Sequence, residues 1–180
     1  MFTPKRAAFA ASLLLAMMAS TSWAETPNFG KPIDEAAIAN WDISILPDGT
    51  GLPKGGGTPA QGAPIYAEKC SACHGDNGKG AQAAALVDNR PNIEIAGISA
   101  SQKTIKGFWP YSTTIFDFIR RAMPFQAPHS LTDDEVYALT AYILAENKLI
   151  GANDVMDAQS LPKVKMPNRD NFIIRFPDRI

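Results

Sequence analysis

The chain has 180 residues, with 17 Lys and Arg against 18 Asp and Glu and a formal net charge of −1. That balance lacks the basic footprint of a nucleic-acid binder, so no nucleic-acid partner is expected. Lys5 and Arg6 form a short positive start, and Ala7 to Ala19 is an apolar run broken by Ser12. Ser22-Trp23-Ala24 then places a small residue at each cleavage-defining position, the layout of a secretory signal peptide over residues 1–24. An uncleaved membrane anchor is the competing reading, but a run of about 13 residues falls short of the roughly 20 that a span needs. Cleavage after Ala24 leaves residues 25–180, a single-domain length with 15 basic against 18 acidic residues and no later stretch apolar enough to span a membrane. Export to the periplasm puts two cysteines in an oxidising compartment, where a disulfide is the usual expectation.

Residues 25–57 are rich in Pro and Gly and end in Gly55-Gly56-Gly57. They read as an extended arm with a flexible linker, with room for a short helix between Asn28 and Trp41. Thr58 then offers a helix cap, with Pro59 in the first turn and Gln61 completing a capping box. Gly62, Tyr66 and Cys70 follow at i, i+4, i+8 and share one face.

Cys70-Ser71-Ala72-Cys73-His74 is a C-x-x-C-H, the attachment signature of c-type haem. Two thioethers tether the haem vinyl groups, and the adjacent imidazole is thereby delivered to the iron. A zinc site would need at least two more ligands, yet the chain has no other cysteine and His129 is its one other histidine. A thioredoxin-like C-x-x-C wants a βαβ setting, which the sequence does not suggest. One motif predicts one covalent haem c, attached through Cys70 and Cys73 and ligated by His74.

The run from Gly62 through Tyr66 and the C-x-x-C-H to Gly75, Gly78 and Gly80 resembles the class I cytochrome c family. The resemblance implies an all-α fold, helices wrapped round one covalent haem, here with extended N- and C-terminal arms about a cytochrome domain at 58–151. Electron-transfer haems of this kind are typically held by His and Met. After signal removal Met123, Met156 and Met166 remain, and Met123 and Met166 both precede proline. In the family the ligand loop precedes the last core helix, which points to Met123, with Met166 and His129 as alternatives and Met156 as core filler. Pro91 is a candidate for the carbonyl that orients His74, although the family's proline-containing segment is altered in Pro91-Asn92-Ile93-Glu94-Ile95-Ala96-Gly97.

Thr113 to Ala122 reads as a helix from the pairs Ile115/Ile119 and Phe118/Ala122. Trp109 and Tyr111 are either core aromatics or propionate contacts, and Arg120 and Arg121 either a solvated face or propionate partners. The final helix is strongly marked: Thr132 and Glu135 form a capping box, Leu131 and Val136 a hydrophobic staple, and Val136, Leu139 and Ile143 repeat at helical spacing. Lys148 and Gly151 read as its stop. The extension 152–180 either covers the cytochrome's own surface or docks a partner through Met166 and Phe172.

Three blocks carry a narrower likeness: Lys106 to Tyr111 with its Trp-Pro-Tyr, Phe116 to Phe125 with Arg-Ala-Met-Pro, and Leu161 to Arg169 with Met-Pro-Asn-Arg. Together with the final helix they resemble the SoxD-type cytochrome subunits of periplasmic sulfur-oxidising dehydrogenases, and next the sulfite dehydrogenase cytochrome SorB. That resemblance implies a non-catalytic electron-transfer subunit. A molybdenum-containing sulfane or sulfite dehydrogenase subunit is the expected donor and a small soluble cytochrome c the expected acceptor. Some SoxD-like chains carry a second haem domain, whereas this one has a single C-x-x-C-H. A free-standing shuttle, a cytochrome partner of a quinoprotein dehydrogenase, and an enzyme such as a thiosulfate-oxidising cytochrome or peroxidase are the alternatives.

Overall fold

The computed structural model describes residues 29–39, 41–88 and 103–172. The chain divides into two compact units, residues 1–41 and 42–180. In the first, helix α1 (Glu35–Ala39) is started by Asp34, whose carboxylate accepts from the Ala37 amide at 2.6 Å. The signal-peptide reading and Pro91 fall outside the described residues.

The second unit carries β1 (Gly56–Gly57), α2 (Pro59–Lys69), α3 (Ser71–His74), α4 (Ile105–Phe108), α5 (Ser112–Ala122), α6 (Asp133–Glu146) and β2 (Met156–Asp157). Helix α6 is its axis. Every residue from Val136 to Leu144 is buried, which is the signature of a helix enclosed on all sides rather than one with a single apolar stripe. Helix α2 crosses it at Gly62, where any Cβ would overlap the Ala138 carbonyl. The bare backbone at Gly62 is therefore what lets the two helices touch, and Tyr66 stacks on Tyr142 beside that crossing with ring centroids 5.0 Å apart. Helix α5 packs on another side through Phe116, whose ring lies 4.4 Å from that of Tyr137.

Both expected capping boxes form. The Thr58 hydroxyl accepts from the Gln61 amide while Gln61 accepts from Thr58 N–H. Thr132 and Glu135 do the same at the start of α6. Each satisfies two amides that the first helical turn would otherwise leave open.

The segments flanking the helices are more structured than their composition suggests. Gly56 and Gly57, read from sequence as part of a flexible linker, pair antiparallel with Asp157 and Met156. Upstream, Pro53 accepts from the Tyr137 hydroxyl at 2.9 Å and Ile43 accepts from Arg121 at 3.0 Å. Downstream, Leu161 is fully buried and its carbonyl accepts from the Ser112 hydroxyl at 2.6 Å. Met166 is 3% exposed within the core cluster. It is therefore unavailable as a docking anchor, and the described part of the tail, residues 152–172, packs against its own domain through Met156, Leu161 and Met166. Phe172 remains 40% exposed, edge-on to Phe108.

Candidate haem site

Helix α2 runs out at Cys70, where the chain turns directly into α3. Cys70 closes the first helix by donating its amide to the Tyr66 carbonyl at 2.9 Å. Its own carbonyl accepts from Cys73 and His74 at 3.2 and 3.0 Å. Positions i, i+3 and i+4 of one turn lie together, so this geometry brings Cys70, Cys73 and His74 to the same place. Gly75 then leaves the turn at φ 74°, the left-handed region that favours glycine. The Tyr66 hydroxyl donates to its carbonyl at 2.9 Å. Burial, aided by the neighbouring Cys70, holds the Tyr66 phenol well above its usual range, so it remains a donor there. Burial likewise pushes the Cys70 thiol up to about 11.

All three residues line a cavity of about 480 Å³, within the range of small-molecule and cofactor sites. Its walls are mostly apolar, from α4 (Ile105), α5 (Ile115, Ile119) and α6 (Leu139, Ile143). Met123 also lines it, arriving from a different element. As the residue that ends α5, its amide still bonds the Ile119 carbonyl at 3.1 Å while its backbone turns extended. The other ligand candidates lie elsewhere: Met166 is packed in the core, and His129 is exposed and absent from the cavity wall. Met156, expected as core filler, is 4% exposed and buried against the core.

His74 is oriented by a residue the sequence did not reveal. Its Nδ1 lies 2.9 Å from the Ala84 carbonyl. Donation from Nδ1–H to that carbonyl leaves Nε2 free for a metal. Pro91, the sequence candidate for this carbonyl, lies outside the described residues; among those described, the carbonyl that meets Nδ1 is that of Ala84. A main-chain acceptor inside Ala83-Ala84-Ala85 leaves no mark in side-chain identity, so no sequence signal could have singled it out.

The expected propionate contacts divide. Trp109 lines the cavity and packs edge-on against Phe118, with centroids 5.7 Å apart. Tyr111 lies under the Arg169 guanidinium instead. Arg120 pairs with Asp133 at 3.1 Å and Arg121 with Asp117 at 2.8 Å. Neither arginine lines the cavity. Among the described residues, the charged ones that do are Lys69 and Lys103.

The donor set suits haem c: two thiols and an imidazole on one turn, a thioether from a separate helix end, and apolar walls between them. Among the described residues no group of three or more His, Cys, Asp and Glu could hold a metal ion without it. Residues 59–146 match the family model for cytochrome c. The structure is also similar to a chain in the crystal structure of the sulfane dehydrogenase SoxCD from Paracoccus pantotrophus. The two share 32% identity at a TM-score of 0.73, over 86% of this chain and 73% of that one. The chain belongs to the cytochrome c family. As a cytochrome c it binds haem c covalently and transfers electrons. The likeness to the SoxCD chain extends well beyond the family-model stretch, since 86% of 180 residues is about 155 and residues 59–146 number 88. The segments flanking the cytochrome c domain are thus part of what the two chains have in common. No helix among the described residues is long and apolar enough to cross a membrane.

Proposed function

We propose that this cytochrome c is a periplasmic one-haem electron carrier. It takes electrons from the molybdenum-containing subunit of a sulfane or sulfite dehydrogenase and passes them to a small soluble cytochrome c. The observation that carries this reading is the 32% identity to the SoxCD chain across most of both chains, flanking segments included. A family likeness confined to the haem domain would support a carrier without favouring a partner.

Cys70 and Cys73 are the attachment points and His74 and Met123 the iron ligands in this reading. When bound, the haem supplies a one-electron iron couple, and Met ligation favours a raised potential. The chain's own residues do the rest. Ala84 holds His74 in one tautomer, α5 delivers Met123, and the apolar walls exclude water. This chain turns over no substrate itself.

Two measurements test the proposal. A pyridine haemochrome assay should return one haem per chain, and two haems would contradict the reading. Rapid anaerobic mixing with the purified molybdenum subunit and its sulfur substrate should reduce the haem within the dehydrogenase's turnover time. Full catalytic turnover without haem reduction would remove this partner and leave a free-standing carrier.

A further inference from the structure

We infer that Asn147 is a positioning residue for the haem ligand His74, acting from the far end of α6 through the loop that carries Ala84. The inference rests on the reading of His74 as an iron ligand.

The His74–Ala84 bond lies at an exposed position, and a loop carbonyl holds an imidazole only as firmly as the loop itself is held. The segment around Ala84 is fixed on both sides. Before it, the Ala83 amide donates to the Cys73 carbonyl at 2.8 Å. After it, Leu86 and Val87 donate to the Gly78 carbonyl at 2.8 and 3.0 Å, and Leu86 accepts from the Ile105 amide at 3.1 Å. These are main-chain bonds. Asn147 adds a side-chain clamp. Its Nδ2 donates to the Leu86 carbonyl at 3.2 Å, and its Oδ1 accepts from the Asp88 amide at 3.0 Å. A carbonyl at one residue and an amide two residues on is the pair that a neighbouring β-strand would satisfy. The carboxamide of Asn147 supplies both halves of that pairing from a helix end.

Asn147 is itself immobilised. It is 0% exposed and ends α6, with its amide on Ile143 O at 3.1 Å and its Nδ2 also donating to Ile143 O at 2.8 Å. The clamped loop also connects to the cavity wall. Asp88 accepts from the Thr104 hydroxyl at 3.1 Å, and Thr104 caps α4, whose Ile105 faces the cavity. One buried amide therefore ties the last helix, the His74 loop and one wall together. The outer partner of a ligating histidine fixes its ring and raises its basicity. Loosening the Ala84 carbonyl should make the imidazole a weaker donor, favour ferrous over ferric iron, and raise the reduction potential.

The experiment uses the full holoprotein. In the wild type, the near-infrared sulfur-to-iron band and the histidine resonances first establish His/Met ligation; failure there removes the ligand reading rather than the clamp. In Asn147→Leu, which keeps the shape and loses all three side-chain bonds, the His74 Nδ1 proton should exchange with solvent roughly tenfold faster. The ferric-to-ferrous ratio at a fixed applied potential should fall about threefold, or roughly 30 mV for one electron. Thr140→Val is the control. Thr140 is equally buried on α6, but its hydroxyl bonds within the helix to Val136 at 2.7 Å. It should change the melting temperature and leave the potential alone. A lower melting temperature in Asn147→Leu with potential and exchange unmoved would overturn the proposal, as would an equal shift in Thr140→Val. If Asn147→Leu does not fold, exchange in the wild type decides. The Asp88 amide and the His74 Nδ1 proton should open together, and a fast-exchanging Asp88 beside a protected His74 proton defeats the clamp.

Discussion

Met123 and Met166 each precede a proline, yet the fold puts the two loops to opposite uses. Met123 lines the haem cavity. Met166 is 3% exposed among core residues, and the loop it begins is bound to the domain surface. Asn168, 2% exposed, donates to the Phe108 carbonyl at 2.6 Å, and the Arg169 guanidinium stacks over Tyr111 at 4.4 Å. The difference lies in what delivers each sulfur. Met123 ends a helix whose Ile115 and Ile119 already form the cavity wall, so its side chain continues that wall. Met166 follows the short turn Leu161–Lys163, whose Leu161 is fully buried, and its side chain continues the core instead. The dipeptide carries no role of its own.

The harshest way to break this contrast is to remove the second loop. Truncation after Gly151 deletes Met156, Leu161 and Met166, all 4% exposed or less. Removing one such side chain costs about 2–5 kcal/mol, so three approach the whole stability of a domain, about 5–15 kcal/mol. The truncated chain is expected to lose its cooperative thermal transition or melt far below the full protein. An unchanged melting temperature would show that the tail is dispensable for the stability of its own domain.

Next come the two single substitutions. Met123→Ala should abolish the near-infrared sulfur-to-iron band at modest structural cost, since Met123 is half-buried. Met166→Ala should keep the band and lower stability by about 2–5 kcal/mol in denaturant unfolding. Retention of the band in Met123→Ala, with its loss in Met166→Ala, would reverse the assignment.

Much of the central fold was legible because its signals are local. The capping boxes at Thr58 and Thr132 and the Cys70–His74 spacing each fit within five residues. Gly62, Tyr66 and Cys70 were legible as residues of one helix face from their i, i+4, i+8 spacing. What escaped depends on distant or main-chain partners. Gly56 and Gly57 look like linker until Met156 and Asp157, about 100 residues on, pair with them. The four-residue helix Ile105–Phe108 is too short for a periodic signal. The enclosure of α6 was hidden because Thr140, polar in sequence, is buried by bonding back to its own helix. At the site, the residue types were readable and their supports were not: Ala84 acts through a carbonyl, and Asn147 looks like any residue at a helix end.

The smallest expected effect concerns how the far end of the Met123 loop is held. That loop ends at Thr132, where Glu135 accepts from the Thr132 amide at 2.8 Å and from Lys69, which lines the cavity, at 3.1 Å. The Thr132 amide first, and then Lys69, hold the Glu135 carboxyl below its usual range. A carboxylate depressed on folding contributes stability above its unfolded value of about 4.3, and that contribution is lost as pH falls through the lower folded value. Both side chains of the ion pair are about 30% exposed, so solvent screens it and the contribution is small. Glu135→Gln keeps a cap acceptor and removes the charge. It should cost about 0.5–1 kcal/mol in denaturant unfolding at pH 7. That gap should narrow as the pH is lowered below about 4, where the wild-type carboxylate itself becomes neutral, and should also narrow with added salt at pH 7. Because His74 detachment in acid would affect both proteins, the quantity to follow is the difference between them. A gap that persists undiminished at low pH would assign the effect to the shape of the cap rather than to its charge. The Met123 loop would then be held by packing and neutral hydrogen bonds.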